Sequence, residues 1–122
     1  MITYDDFAKV EIRAGKIVSA EKIPDTDKLL KLLVDFAEAG PRQIVSGISM
    51  YFPDPTVLVG KTCMFVTNLE PRKIRGFESN GMLFAISTPD VLGEDGTVVS
   101  KGSFSLLETA FDAHISPGTR AK

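Results

Sequence analysis

Between positions 10 and 22 the apolar side chains fall on even numbers, Val10, Ile12, Ala14, Val18 and Ala20, with Glu11, Arg13, Ser19 and Glu21 between them. A period of two places alternate side chains on opposite faces of an extended chain, so this stretch predicts a half-buried strand. Lys16 and Ile17 break the alternation beside Gly15, which predicts a bulge or sharp bend at that point. The run 29–36 has a wholly apolar even face, Leu30, Leu32, Val34 and Phe36, while its odd face mixes Leu29 and Leu33 with Lys31 and Asp35. Turn-forming residues bracket it, Pro24-Asp25-Thr26-Asp27 before and Glu38-Ala39-Gly40-Pro41 after. A third strand is predicted over 43–49. Pro53 and Pro55 then stop strand pairing and leave room for at most a short helical turn over 54–60. A fourth strand follows over 61–68 and a fifth over 82–87. Ahead of them all, Thr3 with Asp5 and Asp6 behind it reads as an N-cap with an acidic first turn, giving a short helix to about Lys9. Beyond Pro89 the pattern weakens to a Gly93-Glu94-Asp95-Gly96 turn, a strand near 97–100 and another around 105–109.

Five unequal strands, the first long and bent, with a short helical connection between the third and fourth, predict an all-β fold. The pattern fits a five-stranded Greek-key barrel of the OB-fold type, carrying a short N-terminal helix and a C-terminal extension. An SH3-like barrel or a small sandwich shares much of that pattern. No repeat, low-complexity tract or linker interrupts the chain, so a single domain over 1–122 is expected, with its core over about 7–88.

Composition narrows the function classes. The 122 residues are 43% hydrophobic and 25% charged, ordinary for a folded chain and unlike a disordered one. At 13.2 kDa a compact monomer exposes roughly 6,400 Å², about a third of its unfolded surface, enough for one core without staples. The single cysteine, Cys63, cannot form an internal disulfide and suits a reducing, cytoplasmic setting. Met1 to Val10 holds two aspartates and no apolar run, so no signal peptide is expected, and no apolar stretch is long enough for a membrane span. A net charge of −2 excludes indiscriminate polyanion binding and demands a local basic patch for any nucleic-acid role. Residues 1–81 carry eleven basic and eleven acidic side chains, against three and five in 82–122, so an anion should meet the first two-thirds. The densest basic cluster is Pro71-Arg72-Lys73-Ile74-Arg75-Gly76, and Arg13, Lys16, Lys28 and Lys31 form a second set.

Catalytic constellations are missing from the sequence. His114 stands alone, without a second histidine or metal-ligand spacing, and a surface or packing role outweighs catalysis. Cys63 shares a strand face with Phe65, which predicts a buried and inert thiol. Ser46 and Ser79 have no neighbouring histidine to act as base, and there is no Gly-x-Ser-x-Gly elbow, P-loop, dinucleotide fingerprint or paired-carboxylate motif. No enzyme activity, metal or cofactor is expected. Arg72, Lys73 and Arg75 lie between the fourth and fifth strands, where a loop of an OB barrel can reach a ligand on the barrel face. Guanidinium forks also match phosphate oxygens. Ser79-Asn80-Gly81-Met82 reads first as a turn, and a turn there also turns short polar groups toward a ligand.

Several blocks together resemble a known family. Asp6-Phe7-Ala8-Lys9-Val10-Glu11-Ile12-Arg13-Ala14-Gly15-Lys16-Ile17, Asp27-Lys28-Leu29-Leu30-Lys31-Leu32, Arg42-Gln43-Ile44-Val45-Ser46-Gly47-Ile48, Asn68-Leu69-Glu70-Pro71-Arg72-Lys73-Ile74-Arg75-Gly76 and Glu78-Ser79-Asn80-Gly81-Met82-Leu83 resemble the tRNA-binding domain appended to methionyl-tRNA synthetases and its free-standing relatives. Ile115-Ser116-Pro117-Gly118-Thr119-Arg120 is similar to that family's ending. The resemblance implies an OB-fold core, a homodimer formed with the help of the extension over about 89–122, and binding to the tRNA elbow with little sequence dependence. It also implies tRNA as partner and an association with methionyl-tRNA synthetase. Phosphate contacts are expected from Arg72, Lys73 and Arg75, helped by Lys28, Lys31 and Arg42, with Asn68, Ser46, Ser79 and Met82 shaping the surface. A chaperone-like or protein-interaction dimer of the same superfamily is the alternative. Phe104, Leu106, Leu107, Phe111 and Ile115 are expected to lie outside the barrel core and to serve the dimer.

Overall fold

The computed structural model describes all 122 residues and is all-β apart from one short helix. That helix, α1 (Tyr4–Ala8), starts at Thr3, whose hydroxyl accepts the Asp6 amide while the Asp6 carboxylate accepts the Thr3 amide. This reciprocal capping box satisfies two amides that a helix start leaves unpaired. The chain then forms β1 (Ile12–Lys22), β2 (Leu30–Asp35), β3 (Arg42–Ser46) and β4 (Thr62–Val66). Next come β5 (Arg72–Ile74), β6 (Phe77–Ser79) and β7 (Met82–Leu83). The last four strands are β8 (Ala85–Ser87), β9 (Val91–Leu92), β10 (Val98–Ser100) and β11 (Phe104–Leu106).

The main sheet is antiparallel with the order β3-β2-β1-β4-β7. Its edges almost meet, and the gap between β3 and the β6–β7 link is bridged by hydrogen bonds. The Asn80 amide donates to the Gln43 carbonyl at 2.9 Å, Gln43 Nε2 donates to the Glu78 carbonyl at 3.0 Å, and Ser79 Oγ accepts the Val45 amide at 3.0 Å. The result is the nearly closed five-stranded barrel of an OB-like fold. Its core is filled by the even face of β2 as the pattern predicts, Leu30, Leu32, Val34 and then Phe36, against Ile17, Ile44, Leu58, Cys63 and Phe65.

Four expectations are corrected. The bulge in β1 lies at Val18, between Ile17 and Ser19, rather than at Gly15. One extra residue there reverses the alternation, so Ile17 points inward while Val10 and Val18 are exposed. Gly15 is required for space instead: a Cβ there would lie 2.5 Å from Phe36 Cε1 and 2.6 Å from Val34 Cγ1. The fifth strand is two strands; β7 stays on β4, whereas β8 leaves the barrel to pair with β11. The third strand ends at Ser46, ahead of a 3-10 turn over Ser49–Tyr51, and the helical turn expected over 54–60 is a second one at Pro55–Leu58. Finally, Leu106 belongs to the core and Phe104 packs against it, stacked on Tyr51 at 3.9 Å between ring centroids. The C-terminal segment thus supplies part of the barrel's core from outside the five-stranded sheet. Its end also pairs with the first half of β1: the Ala14 amide donates to the Thr119 carbonyl at 2.8 Å, the Gly118 amide donates to the Ala14 carbonyl at 2.7 Å, and the Ala121 amide donates to the Ile12 carbonyl at 2.8 Å.

Cys63 is fully buried, and burial pushes its thiol up to about 11. A thiolate is the reactive form. Native protein is therefore expected to resist a disulfide-exchange reagent at pH 8 and to react stoichiometrically once unfolded in guanidinium; rapid labelling of the folded chain would contradict this placement.

Candidate nucleic-acid interface

The expected basic loop is a β-hairpin. Arg72 pairs with Ser79, Lys73 with Glu78 and Ile74 with Phe77. The two turn residues, Arg75 and Gly76, have φ of 52° and 83°. Positive φ at both central positions is the type I′ signature, whose twist matches that of the flanking strands. Glycine adopts it freely. Arginine does not, so the chain holds a cation at the tip where asparagine would sit with less strain.

The hairpin separates two recesses. One, of about 270 Å³, is walled by Ser46, Leu69, Glu70, Arg72, Ile74 and Met82. The other, of about 390 Å³, is bounded by Thr26, Asp27, Lys28, Leu29, Ile74 and Arg75. Lys28 therefore faces the hairpin from the β1–β2 loop. Lys31 lies beside it, its ammonium 5.7 Å from the Phe77 ring centroid and 3.7 Å from Glu21. Arg72, Lys73, Arg75 and Lys28 are exposed and form no ion pair, whereas Lys9, Arg13, Lys31, Arg42, Lys61 and Lys101 each do.

Three of the candidate residues have their polar groups committed elsewhere. Arg42 holds Glu38 through two bonds of 2.8 Å and donates its remaining fork to the carbonyls of Thr67 and Asn80, at 2.6 and 3.2 Å. Its guanidinium also lies 5.3 Å from the Phe36 ring centroid. Arg42 thus ties β3 to the end of β4 and to the β6–β7 link. The same bonds hold the Glu38 carboxyl below its ordinary value and raise that of Arg42. Asn68 accepts the Glu11 amide at 2.8 Å and donates to the Lys9 carbonyl at 2.7 Å, fastening the helix exit to the end of β4. Ser79 is buried in the seam, where its hydroxyl accepts from Val45 and donates to the Gly81 carbonyl at 3.3 Å. These three position the hairpin and its groove. Ser46 and Met82 line the groove directly, and Met82 is exposed.

Leu69, Glu70 and Ile74 line the same groove and were not singled out by the sequence reading. Leu69 is half exposed, and an apolar residue left in solvent beside a charged loop was the available signal.

Comparison with known proteins identifies the family. The family model described as "Putative tRNA binding domain" matches residues 12–119. The chain belongs to this family. It is 55% identical over 84 residues to a methionine–tRNA ligase of Methanocella arvoryzae, a match covering 69% of this chain and 12% of that protein. It is 47% identical over 91 residues to the methionine–tRNA ligase of Thermotoga maritima, covering 75% and 14%. The chain thus spans about one-eighth of the length of these curated relatives. Among solved structures, a methionyl-tRNA-synthetase-related protein of Pyrococcus horikoshii superposes with a TM-score of 0.76 at 37% identity, covering 100% of this chain and 98% of that one. The chaperone CsaA of Bacillus anthracis superposes with a TM-score of 0.72 at 26% identity, covering 100% and 99%. The family match extends through Thr119, so it includes the C-terminal segment that returns to β1 as well as the barrel. No helix of the structure is long and apolar enough to cross a membrane.

Proposed function

We propose that this chain is a structure-selective tRNA-binding domain that acts without catalysis, either free-standing or with a methionyl-tRNA synthetase, in the cytoplasm. The observation that carries the reading is the set of four unpaired cations, Lys28, Arg72, Lys73 and Arg75, gathered on and opposite one projecting hairpin of a net-acidic chain. Unpaired cations release condensed counterions when they meet backbone phosphates, and phosphate contacts position an RNA without reading its sequence. Family membership supplies the class of nucleic acid. The family relationship to synthetases suggests that this domain raises the effective concentration of tRNA near a catalytic partner. In a filter-binding titration, several tRNA species are expected to bind with similar affinity and above a duplex RNA of equal length. Equal retention of tRNA and duplex would sink the reading. Retention of an unfolded polypeptide with no retention of tRNA would favour the chaperone-like alternative, which the likeness to CsaA raises.

The domain is proposed to span 1–122 and to work as a homodimer through its C-terminal segment. The monomer exposes 8272 Å², roughly 1,900 Å² more than a compact chain of this mass. Ile86, Leu92, Val98, Val99 and Phe111 are all exposed on that segment and the strand leading into it. A stable dimer buries at least about 1,200 Å² in total. Sedimentation at micromolar concentration is expected to show a species of twice the 13.2 kDa chain mass; a lone monomer would overturn the dimer.

A further inference from the structure

The two recesses beside the hairpin differ in chemistry. The Lys28–Arg75 recess carries two unpaired cations against the one carboxylate of Asp27, a net positive lining that suits a phosphate. The groove on the other side does not. Leu69, Ile74 and Met82 make much of its wall apolar, and Glu70 contributes a carboxylate that has no hydrogen-bond or ion-pair partner. Glu70 offsets Arg72, the one cation of this lining, so the groove has no net positive charge to draw a phosphate into it. The same pair of features suits a flat heterocycle: the aliphatic side chains cover its face, and the carboxylate accepts N–H donors on its edge. Arg72 stands at the same groove and can hold the phosphate next to that base.

We propose that this groove takes one unpaired nucleobase, and guanine by preference, because guanine presents two adjacent N–H donors on its Watson–Crick edge to a single carboxylate. The assignment rests on the RNA-binding reading above and adds to it a contact of a different kind, made to a base rather than to the backbone. Reading one base at one point leaves affinity similar among tRNA species whose shared fold displays that base in the same place. Glu70 provides the preference, and Met82 and Leu69 provide the cover.

Gly47 offers a way to block the groove without damaging the fold. It lines the groove, its backbone is outside the left-handed region, and a Cβ built on it meets nothing within 4 Å. A Gly47→Leu chain should therefore fold as the parent does while its side chain fills the space a base would take. The experiment uses protein labelled at the methionine methyl groups, of which there are four, titrated with the five-nucleotide RNAs UUGUU, UUAUU and UUUUU, with tRNA binding measured in parallel. The Met82 methyl signal is expected to move most with UUGUU and least with UUUUU. Glu70→Gln should bring UUGUU down to the level of UUAUU. Gly47→Leu should abolish the Met82 shift and weaken tRNA about fivefold, the low end for losing one stacked base, while leaving the salt dependence of tRNA binding unchanged. Equal shifts with all three RNAs, or tRNA binding by Gly47→Leu at parental strength, would overturn the base site while tRNA binding itself stands. A shift by UUGUU in a protein that fails to bind tRNA would uphold the site and overturn the tRNA reading. An apolar extended peptide that moves the Met82 signal where none of the RNAs does would assign the groove to polypeptide instead.

Discussion

Replacing Arg72 by Gln and Arg75 by Asn together is expected to weaken binding of every tRNA about twentyfold near physiological salt. The magnitude follows from counterion release, in which each phosphate contact contributes roughly 0.7 to 0.9 to the slope of log affinity against log salt. Near 0.15 M salt one such contact is worth about four- to fivefold, so two lost contacts compound to about twentyfold, and the slope flattens by roughly 1.4 to 1.8. The choice of side chains matters. Arg75 sits at φ 52° in the hairpin turn, where Asn is at home and Ala is not, so the turn keeps its geometry when the charge is removed. Arg72 is exposed on β5 and forms no ion pair, so Gln keeps its length without uncovering a buried partner. Thermal midpoint and far-ultraviolet spectrum should stay as in the parent. Parental affinity at matched salt would mean that the hairpin is a solvated connection, and the site would have to be sought elsewhere. Arg42→Gln provides the contrast. Its guanidinium is already engaged by Glu38, Thr67 and Asn80, so its loss should be read in stability before it is read in the salt slope.

Phe36→Ala is expected to destabilise the chain by about 3 to 5 kcal/mol, the largest single effect on folding. Phe36 is 1% exposed and meets Phe65 edge-to-face at 5.2 Å between centroids. Gly15 lies directly beneath its ring, so nothing on β1 can move in to fill the space. The Arg42 guanidinium covers the ring from the rim of the barrel. A loss of this size is a large part of a typical domain's stability and should lower the thermal midpoint by about 15 °C for a chain of this length. Gly15→Val tests the same contact from the other side, because its added methyl groups have to displace the Phe36 ring, an overpacking that costs about 1 to 3 kcal/mol. A midpoint within about 3 °C of the parent for Phe36→Ala would show that the core collapses onto the vacancy, against the packing described.

Several parts of this protein are determined by the sequence alone. The period-two pattern of Leu30, Leu32, Val34 and Phe36 specifies which face of β2 is buried, because a strand's neighbours on one side share that period whatever the fold around it. Thr3 and Asp6 specify the capped helix for the same reason: both partners of the capping box lie within one turn. The family is legible in five ordered blocks, and the basic cluster of Arg72, Lys73 and Arg75 is visible as a cluster because its members are neighbours in the chain. What the tertiary structure alone decided involves partners far apart in sequence. The phase of β1 past Gly15 depends on where the strand exchanges β4 for β2, which puts the bulge at Val18 and turns Ile17 inward. Leu106 becomes core because β11 returns to β8, outside the barrel pattern. Arg42, Asn68 and Ser79 resemble ligand contacts in sequence, yet their donors and acceptors are taken by groups 25 to 59 residues away in most cases. A polar side chain is free to meet a ligand only when the fold leaves it unpartnered. Local pattern cannot carry that information, since each hydrogen bond in the seam exists only once the barrel has brought its two ends together.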